Sequence, residues 1–236
     1  MVVRWLWMQN GVAAVALLGL LGFGGDSVNF DALKPGATPP NWSFSSTRDG
    51  AQARWEIRRD PTAPSRGNVL EQISGTPRPF DFPVAIFDKV VCRDGDLSVK
   101  FKIDGDGAAK TAGARTAGAR TAGIVWRYQD RNNYYLLHFS ADEKNIVLFR
   151  IRDGKAQAVP VIGSRPGSVG VAHDIRVGQW YVAKVVFRGS KVRVLFGNRR
   201  LFDVDDSAML MAGKTGVWTK GRTMASFDDF RIDKKN

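Results

Sequence analysis

The chain has 236 residues, 44% of them hydrophobic and 25% charged, which is enough apolar material for one sizeable core and points to a single domain. Its 25 Gly, 10 Pro, 14 Phe and 7 Trp describe short strands joined by tight turns and exclude a helical bundle. The formal charge of +12 is spread along the chain beside Asp residues, as in Arg58-Arg59-Asp60 and Arg152-Asp153, with no basic helix, so no nucleic-acid partner is expected. Such a surface suits anionic glycans, envelope polymers or a membrane surface instead.

The N-terminus differs from the rest. Arg4 is the only charge in the first 25 residues, and Val12 to Phe23 is apolar apart from glycine. That run matches a signal-peptide core and falls short of the roughly 20 residues needed to span a bilayer. Residues 1–24 are read as a cleaved signal, with small Gly22 and Gly24 before the cut; an uncleaved N-terminal anchor is the alternative. The expected location is secreted or periplasmic, with no stable membrane anchor after cleavage. Cys92 is the only cysteine, which excludes an intramolecular disulfide. It follows Val90-Val91 and reads as a small buried hydrophobe.

Beyond the signal, Asn29 to Ser46 is rich in Pro, Gly and Ser and reads as a lead-in and first strand. Period-two alternation then marks strands at 53–58, 68–72, 85–91 and 97–103. The tripeptide Arg-Asp-Gly at 48, 93 and 152 predicts turns, because glycine accepts positive φ. Further strands are expected at 123–128, 134–140, 145–151, 180–187, 191–196, 216–219 and 226–232, with one helical turn at Ser207 to Met211. This many strands at short spacing predicts an all-β sandwich or barrel. Between 111 and 123 the five-residue unit Thr-Ala-Gly-Ala-Arg occurs twice and begins a third time. It carries no large apolar side chain, so residues 110–122 read as a loop insertion, either a tolerated surface expansion or a cationic arm of Lys110, Arg115 and Arg120.

Several stretches resemble a known superfamily. They are Ala122-Gly123-Ile124-Val125-Trp126-Arg127-Tyr128-Gln129-Asp130 with Asn132-Asn133-Tyr134-Tyr135, Glu143-Lys144-Asn145 before Ile146 to Arg150, and Gln179-Trp180-Tyr181-Val182. Gly213-Lys214-Thr215-Gly216-Val217-Trp218-Thr219-Lys220 and Phe227-Asp228-Asp229-Phe230 complete the set. Together they resemble the laminin-G-like and 3-keto-disaccharide-hydrolase-like branch of the concanavalin A-like lectin/glucanase superfamily, over residues 30–232. The resemblance implies a jelly-roll sandwich of two antiparallel sheets and a carbohydrate or glycoside partner. It leaves a binding module, an enzyme and a structural or adhesion domain all open, since fold alone does not assign function.

Sugar binding needs flat aromatic faces and fixed polar groups on a rigid surface. Alternation sends Tyr134, Leu136 and His138 to one face and Tyr135, Leu137 and Phe139 to the other; the second set suits the core, so the first should face a groove. Val125 and Arg127 should share that outer face, opposite Ile124, Trp126 and Tyr128. Arg127 then either engages sugar hydroxyls or pairs with Asp130 or Asp142. The substrate-binding set is completed by Tyr134, Asn145, Trp218 and Lys220, although core packing is the preferred role for Trp126 and Trp218.

For chemistry, Glu56, Glu71 and Glu143 are the only glutamates, and none has the spacing of a jelly-roll glucanase carboxylate pair. A 3-keto-sugar route needs one base, for which the resemblance suggests His138, with Arg127 or Lys220 as cationic partner and Glu143 as orienter. A satisfied histidine is the plainer role for His138, and His173 has no identifiable partner. No cofactor is expected. A structural calcium at Asp228-Asp229 is the one metal considered; Asp104-Gly105-Asp106-Gly107 reads better as a hairpin turn than as a calcium loop.

Overall fold

The computed structural model describes residues 25–46, 54–74, 81–106 and 120–235. The segment read as a signal, the first Arg-Asp-Gly and most of the repeat lie outside them. Sixteen strands and no helix occupy the described residues. They are β1 (Asp26–Val28), β2 (Trp42–Ser46), β3 (Arg54–Arg59), β4 (Asn68–Ser74), β5 (Pro83–Cys92), β6 (Asp94–Asp106), β7 (Thr121–Asp130) and β8 (Asn133–Ser140). After these come β9 (Asn145–Arg152), β10 (Lys155–Ala158), β11 (Val171–Ala172), β12 (Trp180–Arg188), β13 (Lys191–Phe196), β14 (Arg199–Asp205), β15 (Gly213–Thr219) and β16 (Thr223–Lys235).

Every pairing is antiparallel, in two sheets. The first runs β14-β13-β12-β6-β16-β4-β3 with β1 alongside β16; the second runs β10-β9-β8-β7-β15-β5-β2 with β11 on β9. Alternation decides which side chains meet between them. Leu97, Val99, Phe101 and Ile103 of β6 face Tyr135, Leu137 and Phe139 of β8 within one continuous core, and Phe101 stacks on Phe139 with centroids 4.3 Å apart. Trp126 lies in this core against Tyr135, as expected. Cys92 is buried there too, and burial pushes its thiol up to about 11, so it packs as an inert hydrophobe.

Several local expectations change. The repeat hands over to the strand earlier than alternation suggests: Thr121 and Ala122 are buried and already paired in β7. Ser207 to Met211 forms no helical turn; Asp206 instead accepts the Ala208 amide at 2.8 Å, a local bond that competes with helix. Asp104 to Asp106 is strand rather than turn, with Gly105 at φ +147° where the pairing with β16 slips. Of the two Arg-Asp-Gly turns described, only the one at 152 closes a hairpin, between β9 and β10, with Asp153 and Gly154 both at positive φ. The one at 93 is a corner that carries the chain from the second sheet into the first.

That corner explains the largest departure from simple alternation. Arg127 does not point to the outer face with Val125. It has φ +49°, and the pairing of β7 with β8 shifts register between Trp126 and Asp130, so one bulged residue reverses the faces that follow. Tyr128 consequently takes the outer face, and Arg127 is 1% exposed. Neither Asp130 nor Asp142 is its partner. Its guanidinium donates to Arg93 O (2.9 Å), Met209 O (2.9 Å), Gly189 O (2.7 Å) and Asp94 Oδ1 (3.3 Å), and lies over the Phe187 ring. Arg127→Met should lower stability by about 3–5 kcal/mol in a urea titration, since it strands a carboxylate and three carbonyls. Arg127→Lys should recover little of this, because one ammonium cannot reproduce the planar fork. A loss below about 1 kcal/mol for the Met variant, the size of one ordinary hydrogen bond, would refute the clamp.

Candidate functional site

The outer face of the second sheet is built in rows that cross the strands. One row runs Val147, His138, Gly123, Trp218 and Val84 through direct pairings of β9, β8, β7, β15 and β5. The next runs Phe149, Leu136, Val125, Gly216 and Ile86. A third pairs Ile151 with Tyr134, and Tyr134 meets Tyr128 across the bulge, centroids 5.6 Å apart. These residues form a second apolar cluster, separate from the core between the sheets.

Gly123 is the gap in the first row. A Cβ there would lie 2.5 Å from Leu136 Cδ1 and 3.3 Å from Trp218 Cε3. Without it, the flanking rings of His138 and Trp218 lean together over the strand and meet edge to face at 5.8 Å. Phe149 closes on His138 from the other side at 5.6 Å, and Phe82 stacks on Trp218 at 5.5 Å. The result is an open groove of about 180 Å³ lined by Phe82, Tyr134, His138, Phe149, Trp218 and aliphatic neighbours, with Glu143 and Lys220 as its charged lining residues. It is smaller than the roughly 300–1,000 Å³ typical of enclosed ligand pockets.

Five of the seven site residues expected from sequence therefore line one groove: Tyr134, His138, Glu143, Trp218 and Lys220. Their setting differs from expectation. Tyr134, His138 and Trp218 are almost fully buried and form the floor, and only the less buried Phe82 and Phe149 offer ring surface to solvent. Trp218 belongs to this outer cluster rather than to the core between the sheets. Asn145 stands at the start of β9, where its Nδ2 donates to Glu143 Oε2 at 3.3 Å. Arg127 is absent from the groove, for the reason given above. His173, for which sequence offered no partner, rests edge-on against Phe196.

The chemistry of the floor follows from its dryness. Burial, reinforced by the charge of Lys220, holds the His138 imidazole down to about 4, so it is neutral at physiological pH. No hydrogen bond joins Glu143 to His138 among the described residues, and His138 Nδ1, Trp218 Nε1 and Asn145 Oδ1 are buried without hydrogen-bond partners. Phe82 and Phe149 escaped the sequence reading. Alternation along β9 from Asn145 would have found Phe149, whereas Phe82 precedes its strand and carries no periodic signal.

The outer face of the first sheet is polar instead. A row in register across five strands reads Glu56, Glu71, Ser226, Lys102 and Trp180. Lys102 is ion-paired with Asp60 at 2.5 Å and Asp104 at 2.8 Å; burial opposes its charge, but those bonds outweigh burial and raise its affinity for the proton. Glu71 is pushed up to about 7 by burial and then by Asp104. Asp228 Oδ1 accepts the Asp229 amide at 2.7 Å, and the Asp229 carboxylate is taken by Lys100 at 2.5 Å. No group of three or more metal-ligating side chains converges among the described residues.

The fold is the concanavalin A-like jelly roll. The cellulose-induced protein Cip1 superimposes with a TM-score of 0.59 at 14% identity, covering 89% of this chain and 97% of that one. A carbohydrate-binding module from Bacillus subtilis gives 0.54 at 16% identity, over 80% and 94%. Domain 4 of the extracellular arabinanase AbnA from Geobacillus stearothermophilus, solved in complex with arabinotriose, gives 0.53 at 13% identity, over 87% and 89%. No family model and no curated protein matches the sequence.

Two outcomes test this account of the groove. Unfolded chain takes up a proton on His138 near pH 6.5, whereas the folded protein resists until about pH 4, so this residue makes stability fall as pH drops through that window. Glu71, raised to about 7, contributes in the opposite sense, its stability being lost as pH rises from 4.5 towards 7. The comparison is therefore against His138→Gln, which should lose less stability than the parent between pH 7 and pH 4.5 in urea titrations, by an amount on the order of 2 kcal/mol. Parallel losses in the two proteins would place a charged or solvated imidazole in the floor.

Gly123→Ala should cost about 1–3 kcal/mol through overpacking. Combined with Leu136→Ala it should cost clearly less than the sum of the two single changes, because the clash is shared. Additive losses would show that the rings do not depend on the missing Cβ.

Proposed function

We propose that this chain is an exported carbohydrate-binding domain that holds a sugar on the outer face of its second sheet. The observation that carries the reading is the groove itself. Partly exposed Phe82 and Phe149 offer apolar faces to C–H groups, over a floor made rigid by Trp218, Tyr134 and His138. Glu143, Asn145 and Lys220 supply an acceptor, an amide and a donor for hydroxyl groups at the rim. The carbohydrate-binding module and the arabinotriose-bound domain with the same fold support a sugar ligand, and the apolar stretch of residues 12–23 supports export.

A glycan array followed by calorimetry tests it. The protein should bind at least one oligosaccharide, and Phe82→Ala and Glu143→Gln should each weaken that binding by about tenfold, near 1.4 kcal/mol. Binding that ignores both substitutions would move the site elsewhere, and no binding to any glycan would sink the proposal.

A second reading, 3-keto-glycoside hydrolase or lyase, is favoured by one feature: a neutral imidazole in the groove beside an ammonium. His138 would take the C2 proton acidified by the C3 ketone to give an enolate facing Lys220; its collapse would restore the ketone, form the C1–C2 double bond and expel the glycosidic oxygen, which takes back a proton from the His138 imidazolium. Its low proton affinity makes His138 a weak base, and neither Arg127 nor a bonded Glu143 assists it. Release of sugar from a 3-keto-disaccharide, abolished in folded His138→Ala, would establish catalysis over binding alone.

A further inference from the structure

The two charged residues lining the groove are not equivalent, and their difference bears on the ligand. Several lysines on the sheets are matched: Lys100 with Asp229, Lys102 with Asp60, Lys184 with Asp96, Lys214 with Asp88. Lys220 lines the groove with no carboxylate partner among the described residues, though it is only partly exposed. No ion pair joins it to Glu143 among the described residues; that carboxylate accepts from Asn145 Nδ2 at 3.3 Å. The floor registers its charge, because after burial Lys220 acts against a proton on His138.

We propose that the ring held in the groove is an acidic sugar, its carboxylate at Lys220, its apolar face on Phe82 and its hydroxyls at Glu143 and Asn145. This rests on the carbohydrate reading above. An ammonium beside a dry aromatic floor has lost part of its hydration, so an anion seated there restores what a neutral hydroxyl cannot, through a charge-assisted hydrogen bond in a setting of weak screening. Glu143, the other charged lining residue, repels a second negative charge on the ligand and instead accepts from ring hydroxyls. The net charge of +12 acts in the same direction at longer range, speeding the encounter with a polyanionic chain.

The test is calorimetry at low salt with trisaccharides of galacturonate, glucuronate and mannuronate. Each is compared with its methyl ester, which keeps the ring and removes the charge, and with the neutral galactose, glucose and mannose trisaccharides. At least one acid should bind tenfold or more tighter than its own ester, a difference of about 1.4 kcal/mol. Lys220→Met, checked for an unchanged urea midpoint, should bring the pair within about twofold, and Lys220→Arg should keep most of the preference. Esters or neutral sugars binding as tightly as the acids, or an acid preference that survives Lys220→Met, would overturn the acidic-sugar inference and leave carbohydrate binding standing. Failure of every acidic and neutral sugar to bind would overturn both.

Discussion

The buried guanidinium of Arg127 is the point on which the two sheets depend. It projects from β7 in the second sheet, yet its four acceptors belong to the β5–β6 corner, the β12–β13 turn and the β14–β15 connection. Asp94 in turn accepts the Gly189 amide at 2.8 Å, so the corner and the turn are also tied directly. Three connections, from both sheets, are thus fixed to one side chain, which takes a residue with several donors in a rigid plane. The bulge that aims Arg127 inward also decides the outer face, because it turns Tyr128 out against Tyr134 and so closes one end of the aromatic cluster.

The two outer faces have divided the labour of the surface. On the first sheet, cations and anions alternate and answer one another, as with Lys184 and Arg188 around Asp96 and Arg193 with Asp203. Pairs this exposed contribute little stability, but they occupy charge that would otherwise be offered to a ligand. On the second sheet the same positions carry Trp218, Tyr134, Phe149 and Ile86, and the polar groups have withdrawn to the rim. A sheet whose outer surface is apolar by design of its rows needs something to cover it. Here the rings cover one another, made possible by a strand position without a side chain, Gly123.

Much of the fold was legible because alternation is a local signal. Val99, Phe101 and Ile103, or Tyr135, Leu137 and Phe139, announce their faces whatever the rest of the chain does. The strands that escaped notice, β1, β10, β11 and β14, lie at edges or are too short to show a period, and pairing with a neighbour defines them. The site was legible to the same extent. Counting by twos along β8 placed Tyr134 and His138 correctly, whereas counting across Trp126 misplaced Arg127 and Tyr128 together, since a positive φ at one residue cancels the rule for all that follow in that strand. Burial within the groove was not legible. Nothing in the order of residues says that Phe82, outside its strand, lies on Trp218 and turns a display of aromatic rings into a floor.

That distinction between display and floor decides how the groove can discriminate. Buried rings cannot move toward a ligand, and their substitution changes stability along with binding, so Trp218, Tyr134 and His138 set the shape of the groove rather than its preference. Selectivity falls to the residues whose polar atoms still face water. Of these, Glu143 hangs from the β8–β9 turn, its amide held by Ser140 Oγ at 3.0 Å, and Lys220 stands just past the end of β15, where its carbonyl accepts the Thr223 hydroxyl at 2.8 Å. Both are anchored through the backbone, and at the tip Glu143 is steadied by the Asn145 amide while Lys220 has no carboxylate partner among the described residues. A groove of this kind has a rigid apolar floor and two adjustable charges, so changes at its rim can alter which sugar it holds while leaving the sandwich beneath intact.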